Sequence, residues 1–153
     1  MTTNLYLHKI LSPLSEFGGI FNTSSIQDLH FKALPCYVIC NLSESGTAGT
    51  HWIGIVLTKS RAMYFDSFGE KCSSTPIKAL FARLGYHEYF YNFVQIQHNV
   101  SEKCGEYCLG FILCHKDGYD LHDYVSMFKT TNLMLNDKLL KLLLGKLTKK
   151  HLK

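Results

Sequence analysis

A single stretch, HWIGIVLTKSRAMYFD, does most to limit what this chain can become. His51 to Leu57 is apolar and rich in β-branched residues, TKSR can turn, and AMYFD can return. Residues 51–66 therefore read as a hairpin ending at Asp66. CYVICNL, from Cys36, is β-branched, aromatic and continuous, the pattern of a buried strand, and YFYNFVQIQ, from Tyr89 to Gln97, reads as the last strong strand. SESGTAGT, Ser43 to Thr50, is a loop by composition.

Helical patterns lie on both sides of this block. TNLYLHKIL carries Leu5, Tyr6, Ile10 and Leu11 near helical spacing, and SSIQDLHFKAL suggests a second short helix. STPIKALFARLGY has Pro76 near a helix start and Gly85 near its end. CGEYCLGFILCHK places Cys104, Tyr107, Cys108, Phe111 and Ile112 on one stripe of period 3.6. DLHDYVSMF and NDKLLKLLLGKLTKK follow, with Asp120 and Asn136 as expected N-caps. Strands in the middle and helices before and after predict an α+β fold. The expected organisation is one domain over 1–153, ending in a basic helix at about 136–150.

At 46% hydrophobic and 18% charged residues, the 153-residue chain has enough apolar surface for a core and is not of disordered type. No apolar run reaches the length of a membrane span, so no membrane partner is expected. MTTNLYLHKILSPLSEF lacks the basic start and unbroken apolar run of a secretory signal. An intracellular protein with mostly reduced cysteines is the expectation. The net charge of +4 is mild, but Lys138 to Lys153 holds six lysines and no acid. Such a tail suits a polyanion such as DNA, or simply a solvated helix face.

The chemistry-bearing residues sit around SEKCGEYCLGF. Cys104 is placed at the start of an apolar helix, where backbone N–H groups and the helix dipole favour a thiolate. Gly105 removes a side chain beside the sulfur and lets a substrate backbone approach. Cys108 falls one turn deeper, as a small core residue. A thiolate nucleophile needs a proton partner, and His51 begins a strand directly after a flexible loop, with Trp52 able to wall the site. The hairpin would set Asp66 opposite His51 to orient its ring. Gln97, seven residues before Cys104, could donate to an oxyanion together with the Cys104 amide. Gln95 shares the same strand face, so alternation alone does not separate the two.

GTHWIGIV, YFDSFG, QIQHNVSEKCGEYCLGFIL and, more loosely, MFKTTNLMLND resemble the adenain family, the maturation cysteine proteases of adenoviruses and of related DNA viruses and large transposons. More distantly they resemble the SUMO-specific proteases. The resemblance runs from about residue 35 to 137. It implies a papain-like core, a central mixed sheet flanked by helices, with the catalytic order His51, Asp66, Gln97, Cys104. The activity it implies is cleavage of capsid or core precursor proteins after small residues such as glycine. The expected setting is a virion, host nucleus or cytoplasmic virus factory, with the enzyme a monomer.

No cofactor is required by the chemistry, but adenoviral members are activated by a short viral peptide and by DNA. A disulfide-linked peptide would need an exposed thiol, and Cys72 in GEKCSST is the candidate. Non-specific DNA contact would fall to Lys146, Lys149, Lys150 and Lys153. The seven-residue spacing to Cys104 that favours Gln97 over Gln95 also matches this family.

Three rivals stand beside this reading. A zinc site could draw on Cys36, Cys40, Cys104, Cys108, Cys114 and His115, but CYVIC suits a strand face and CLGFILCH a helix interior, not a zinc knuckle. An isopeptidase acting on ubiquitin-like modifiers would carry the same four residues. A basic packaging protein would retain the fold without the chemistry.

Overall fold

The computed structural model describes residues 3–43 and 51–151. Five strands form one mixed sheet in sequence order: β1 (Phe17–Asn22), β2 (Cys36–Asn41), β3 (Trp52–Leu57), β4 (Ala62–Phe65) and β5 (Tyr89–Tyr91). The middle of the sheet is an antiparallel meander of β2, β3 and β4, and each edge strand runs parallel to its neighbour. Every residue of β2, β3 and β4 is buried, as their unbroken apolar runs demand.

A sheet buried on both faces needs two covers. One face, carrying Tyr37, Ile39, Val56, Met63 and Phe65, packs on helices α1 (Asn4–Leu11), α3 (Cys104–Lys116), α4 (Leu121–Val125) and α5 (Asn136–His151). The other, carrying Val38, Ile53, Ile55 and Tyr64, packs on α2 (Thr75–Arg83) and on a short 3-10 turn, Ile26–Asp28. The fold is thus α+β, a central mixed sheet flanked by helices, consistent with a papain-like protease core. The helix α3 lies close against β3 because Gly54 has no side chain; a Cβ there would meet Phe111 at 3.3 Å and Cys108 at 3.6 Å.

Local signals account for the helix ends. Ser74 caps α2 by accepting from the Ile77 amide, and Asp120 and Asp123 form a reciprocal capping box on α4. On α5 the leucine stripe faces inward: Leu140, Leu144 and Leu147 are buried and Leu143 is partly so. No helix among the described residues is long and apolar enough to cross a membrane.

Three expectations need correction, and one strand, β1, was not among the expected elements at all. SSIQDLHFKAL is not a helix of several turns; Ile26 and Leu29, three apart, enter the core in a single 3-10 turn, and the chain then extends towards Pro35. β1 carries two glycines and only half-buried residues, so it lacks the pattern that revealed the others. The last strand stops at Tyr91: Phe93 adopts a left-handed φ of 41°, and residues 92–97 are irregular. Asn136 does not cap α5 but is its first residue; fully buried, its amide donates to the Ile96 and Lys129 carbonyls and accepts from the Lys129 N–H. Residues 44–50, most of the expected SESGTAGT loop, lie outside the described residues.

Candidate active site

The site is assembled at one end of the β3–β4 pair. His51 immediately precedes β3, where its carbonyl accepts the Leu42 N–H and so extends the β2–β3 ladder. Asp66 immediately follows β4. The two are not directly opposite, contrary to the simple hairpin reading. Gly54 pairs with Phe65, so the register carries His51 towards Phe68 instead. The His51 ring does lie against the Phe68 ring, with centroids 5.0 Å apart. From there Nε2 reaches diagonally to Asp66 Oδ1 at 2.9 Å.

Asp66 is held on several sides. Its Oδ1 also accepts the Phe68 N–H at 2.8 Å. The Asn92 side chain takes the place of a pairing strand, accepting the Asp66 N–H at 3.0 Å and donating to the Asp66 carbonyl at 2.6 Å. This closes off the backbone of a residue that no strand partners. The turn after it presses against the irregular segment. A Cβ on Gly69, which has φ +77°, would stand 2.7 Å from the Val94 carbonyl carbon.

Cys104 is the first residue of α3, whose N-cap, Lys103, makes no side-chain capping bond. The first-turn N–H groups therefore present partial positive charge at the sulfur's end of the helix. The Trp52 N–H donates to Cys104 Sγ at 3.4 Å. Because Asp66 occupies Nε2, the ring nitrogen left for the thiol is Nδ1, which is buried and has no hydrogen-bond partner among the described residues. Burial opposes a charge on the His51 ring, but the hydrogen bond it donates to the Asp66 carboxylate and the interaction with neighbouring Cys104 outweigh it and push the pKa up to about 9. The arrangement favours an imidazolium, the partner a thiolate requires.

Gln97 is buried, and its main-chain N–H donates to the carbonyl of Ser67, the residue after Asp66. Its Nε2 donates to the Ser101 carbonyl at 2.8 Å, and its Oε1 accepts from the Ser67 hydroxyl. Gln95 is engaged elsewhere, donating to the Gln97 carbonyl and to Asn99 Oδ1. Gly105 is buried, and the Trp52 side chain belongs to the α3-side core at 8% exposure. Trp52 reaches the sulfur through its main chain, a contact that residue type cannot announce. Asn92, Ser67, Ser101 and Phe68 were likewise missed. Ser67 and Phe68 lie inside YFDSFG and were within reach of that motif, whereas Asn92 carries no sequence signal.

The remaining thiols are placed differently. Cys72 is buried at 2% exposure, not a free loop thiol, because the segment before α2 folds its sulfur under the sheet, 3.7 Å from the Ser74 carbonyl. Burial pushes the Cys108 thiol well above its ordinary pKa and the Cys114 thiol to about 12. Among the described residues no three His, Cys, Asp or Glu side chains gather in a way that could hold a metal ion. Of the expected basic strip, Lys146 and Lys149 are exposed, while Lys150 pairs with Asp117 at 3.1 Å. Lys153 lies outside the described residues.

No protein-family model matches the sequence, and no curated protein does. Among solved structures the chain is similar to the crystal structure of the selenomethionine form of the ASFV pS273R protease, with a TM-score of 0.60 and 18% identity. The match covers 91% of this chain and 66% of that one, so this chain spans slightly less than two thirds of the protease's length. At that identity the likeness is one of fold: the chain shares the α+β architecture of a viral cysteine protease.

Proposed function

We propose that this protein is a cysteine endopeptidase of adenain type that matures virus- or element-encoded precursor proteins. The observation that carries the reading is the run of contacts at the head of β3, where His51 Nε2 meets Asp66 at 2.9 Å and the next residue's N–H meets Cys104 Sγ at 3.4 Å. A thiol, a histidine and a carboxylate in this relation can generate and hold a nucleophilic sulfur.

In the proposed mechanism His51 Nδ1 takes the Cys104 proton, and Asp66 fixes the tautomer by accepting Nε2–H. The thiolate attacks the scissile carbonyl, and the oxyanion is met by the Cys104 N–H and the Gln97 amide. His51 then protonates the leaving amine, and water hydrolyses the thioester to regenerate the thiol. The proposed substrates are capsid or core precursors carrying glycine just before the scissile bond, the preference that the resemblance to the adenain and SUMO-specific proteases implies. The exposed α5 lysines are proposed to keep the enzyme on DNA.

The test is a panel of fluorogenic peptides that vary the residue before the scissile bond, run with and without duplex DNA and against a ubiquitin-like precursor. Cleavage after glycine by the wild type and none by Cys104→Ala is the expected result. Preference for large side chains would overturn the glycine specificity, and cleavage of the modifier precursor alone would overturn the endopeptidase assignment. Unchanged cleavage by Cys104→Ala would overturn the chemistry.

A further inference from the structure

An oxyanion donor works only if its N–H groups, not its carbonyl, face the reacting centre, and a glutamine amide can be inserted either way round. The surroundings of Gln97 choose between the two. The Ser101 main-chain carbonyl can only accept, so the group facing it at 2.8 Å must be the amide nitrogen. The opposite side of the amide is then Oε1, and it meets the Ser67 hydroxyl, which must donate. Gln97 is 1% exposed and Ser67 is fully buried, so losing their hydrogen bond leaves a buried polar group unpaired.

The same serine also fixes the main chain. Its carbonyl accepts the N–H groups of Ile96 at 2.9 Å and Gln97 at 3.0 Å. On the other side Ser101 is anchored to α5, since its hydroxyl donates to both Asp137 oxygens, at 3.0 and 2.9 Å, and Tyr107 donates to the same carboxylate.

We infer that Ser67, the residue after the histidine's carboxylate partner, is a positioning residue that sets the Gln97 amide with its nitrogen towards the reacting carbonyl. One short turn thereby serves two parts of the proposed machinery: Asp66 orients the base and Ser67 orients the oxyanion donor. The inference rests on the protease reading above. It adds a residue whose hydroxyl touches neither the nucleophile nor the base, so its effect must pass through Gln97.

That dependence supplies the test. Wild type, Ser67→Ala, Gln97→Ala and the double variant are compared in kcat and KM on a fluorogenic peptide with glycine before the scissile bond. Ser67→Ala keeps the main-chain carbonyl that holds residues 96 and 97, and thermal unfolding checks that each variant is folded. Ser67→Ala is expected to lower kcat about tenfold or more. KM should stay within about twofold. In the Gln97→Ala background the same change should cost nothing further.

Wild-type kcat in Ser67→Ala would overturn the inference, as would an equal loss in both backgrounds, the mark of a merely structural role. A second readout does not depend on turnover. The side-chain amide NMR signal of Gln97, identified by its loss in Gln97→Ala, should shift or broaden in Ser67→Ala. An unmoved signal overturns the inference. If the wild type cleaves no peptide, the protease reading fails, and the amide signal alone still decides whether Ser67 orients Gln97.

Discussion

The six cysteines divide evenly between the two faces of the sheet. Cys36, Cys40 and Cys72 lie in the core beneath α2, and Cys104, Cys108 and Cys114 in the core beneath α3. All six are free and buried, so burial does not distinguish them. Their hydrogen bonds do. The Cys40 and Cys72 thiols point at carbonyls, of Asn41 at 3.5 Å and Ser74 at 3.7 Å, and burial raises the pKa of both. The Cys104 sulfur instead accepts an N–H, from Trp52. Burial raises Cys36 to about 11 and Cys40 to about 12 on the α2 side. On the proposed reading, Cys104 is set apart by what surrounds its sulfur and not by burial.

The widest gap between the two faces should appear on removing sulfur. Cys104→Ala is expected to bring peptide cleavage to background while the unfolding temperature stays close to wild type. Cys40→Ala and Cys72→Ala should keep near-normal kcat and lose only stability, through the small cavities they leave. Cys108→Ala should behave like the α2-side variants although its residue is one turn from Cys104. Loss of activity in Cys40→Ala or Cys72→Ala without unfolding would break the comparison.

Next in size come the groups that make the Cys104 surroundings special. His51→Ala should leave almost no turnover. Asp66→Asn should lower kcat by up to about 10⁴-fold, since an amide can hold the wrong tautomer of the ring. Gln97→Ala should cost about 10²- to 10³-fold in kcat. Gln95→Ala, whose side chain bonds Asn99 and the Gln97 carbonyl, should cost far less. A Gln95 effect equal to that of Gln97 would shift the oxyanion assignment along the chain.

A smaller effect should separate the two faces by pH. The His51 pKa is raised from 6.5 to about 9, so the folded state binds its proton more tightly than the unfolded chain does. The stabilisation this supplies is complete below pH 6.5 and is lost as pH rises towards about 9. Thermal unfolding of wild type and His51→Ala across that window should show the wild-type advantage shrinking with rising pH. An advantage that grows instead would mean that the ring is held neutral.

How much of this was legible in the chain depended on whether a feature was local. The meander announced itself through unbroken apolar runs, and α3 through its stripe, because both are set by neighbours in sequence. The ordered His51, Asp66, Gln97 and Cys104 could be singled out as candidates because each lies at the boundary of such an element or at a fixed distance from one. What failed was non-local. β1 is glycine-bearing and half-buried, and its place is set by parallel pairing with β2. Gln97 was expected on a strand, yet Asn92 ends β5 by spending its side chain on the Asp66 backbone, and Phe93 then turns the chain away. The burial of Cys72 depends on how α2 docks beneath the sheet, which no turn signal in GEKCSST encodes.

The smallest expected effect lies on the exposed side of α5. Its buried leucines tie one side of the helix to the α3 core, and Lys138, Lys141, Lys146 and Lys149 are exposed. These lysines are not equivalent to Lys150, which reaches Asp117 alongside His151 and so serves the fold's own electrostatics. If α5 holds DNA, binding should be independent of sequence and weaken steeply with salt. Each phosphate neutralised contributes about 0.9 to the slope of log affinity against log salt. Lys146→Gln with Lys149→Gln should therefore flatten that slope by up to about two, without touching peptide kcat in the absence of DNA. Lys150→Gln should change the slope less and act on stability instead, by about 0–1 kcal/mol for an exposed pair. Fluorescence anisotropy with random duplexes at low and moderate salt measures both slopes. No binding at low salt, or a slope untouched by the paired substitution, would leave α5 as a packing element whose lysines only meet water.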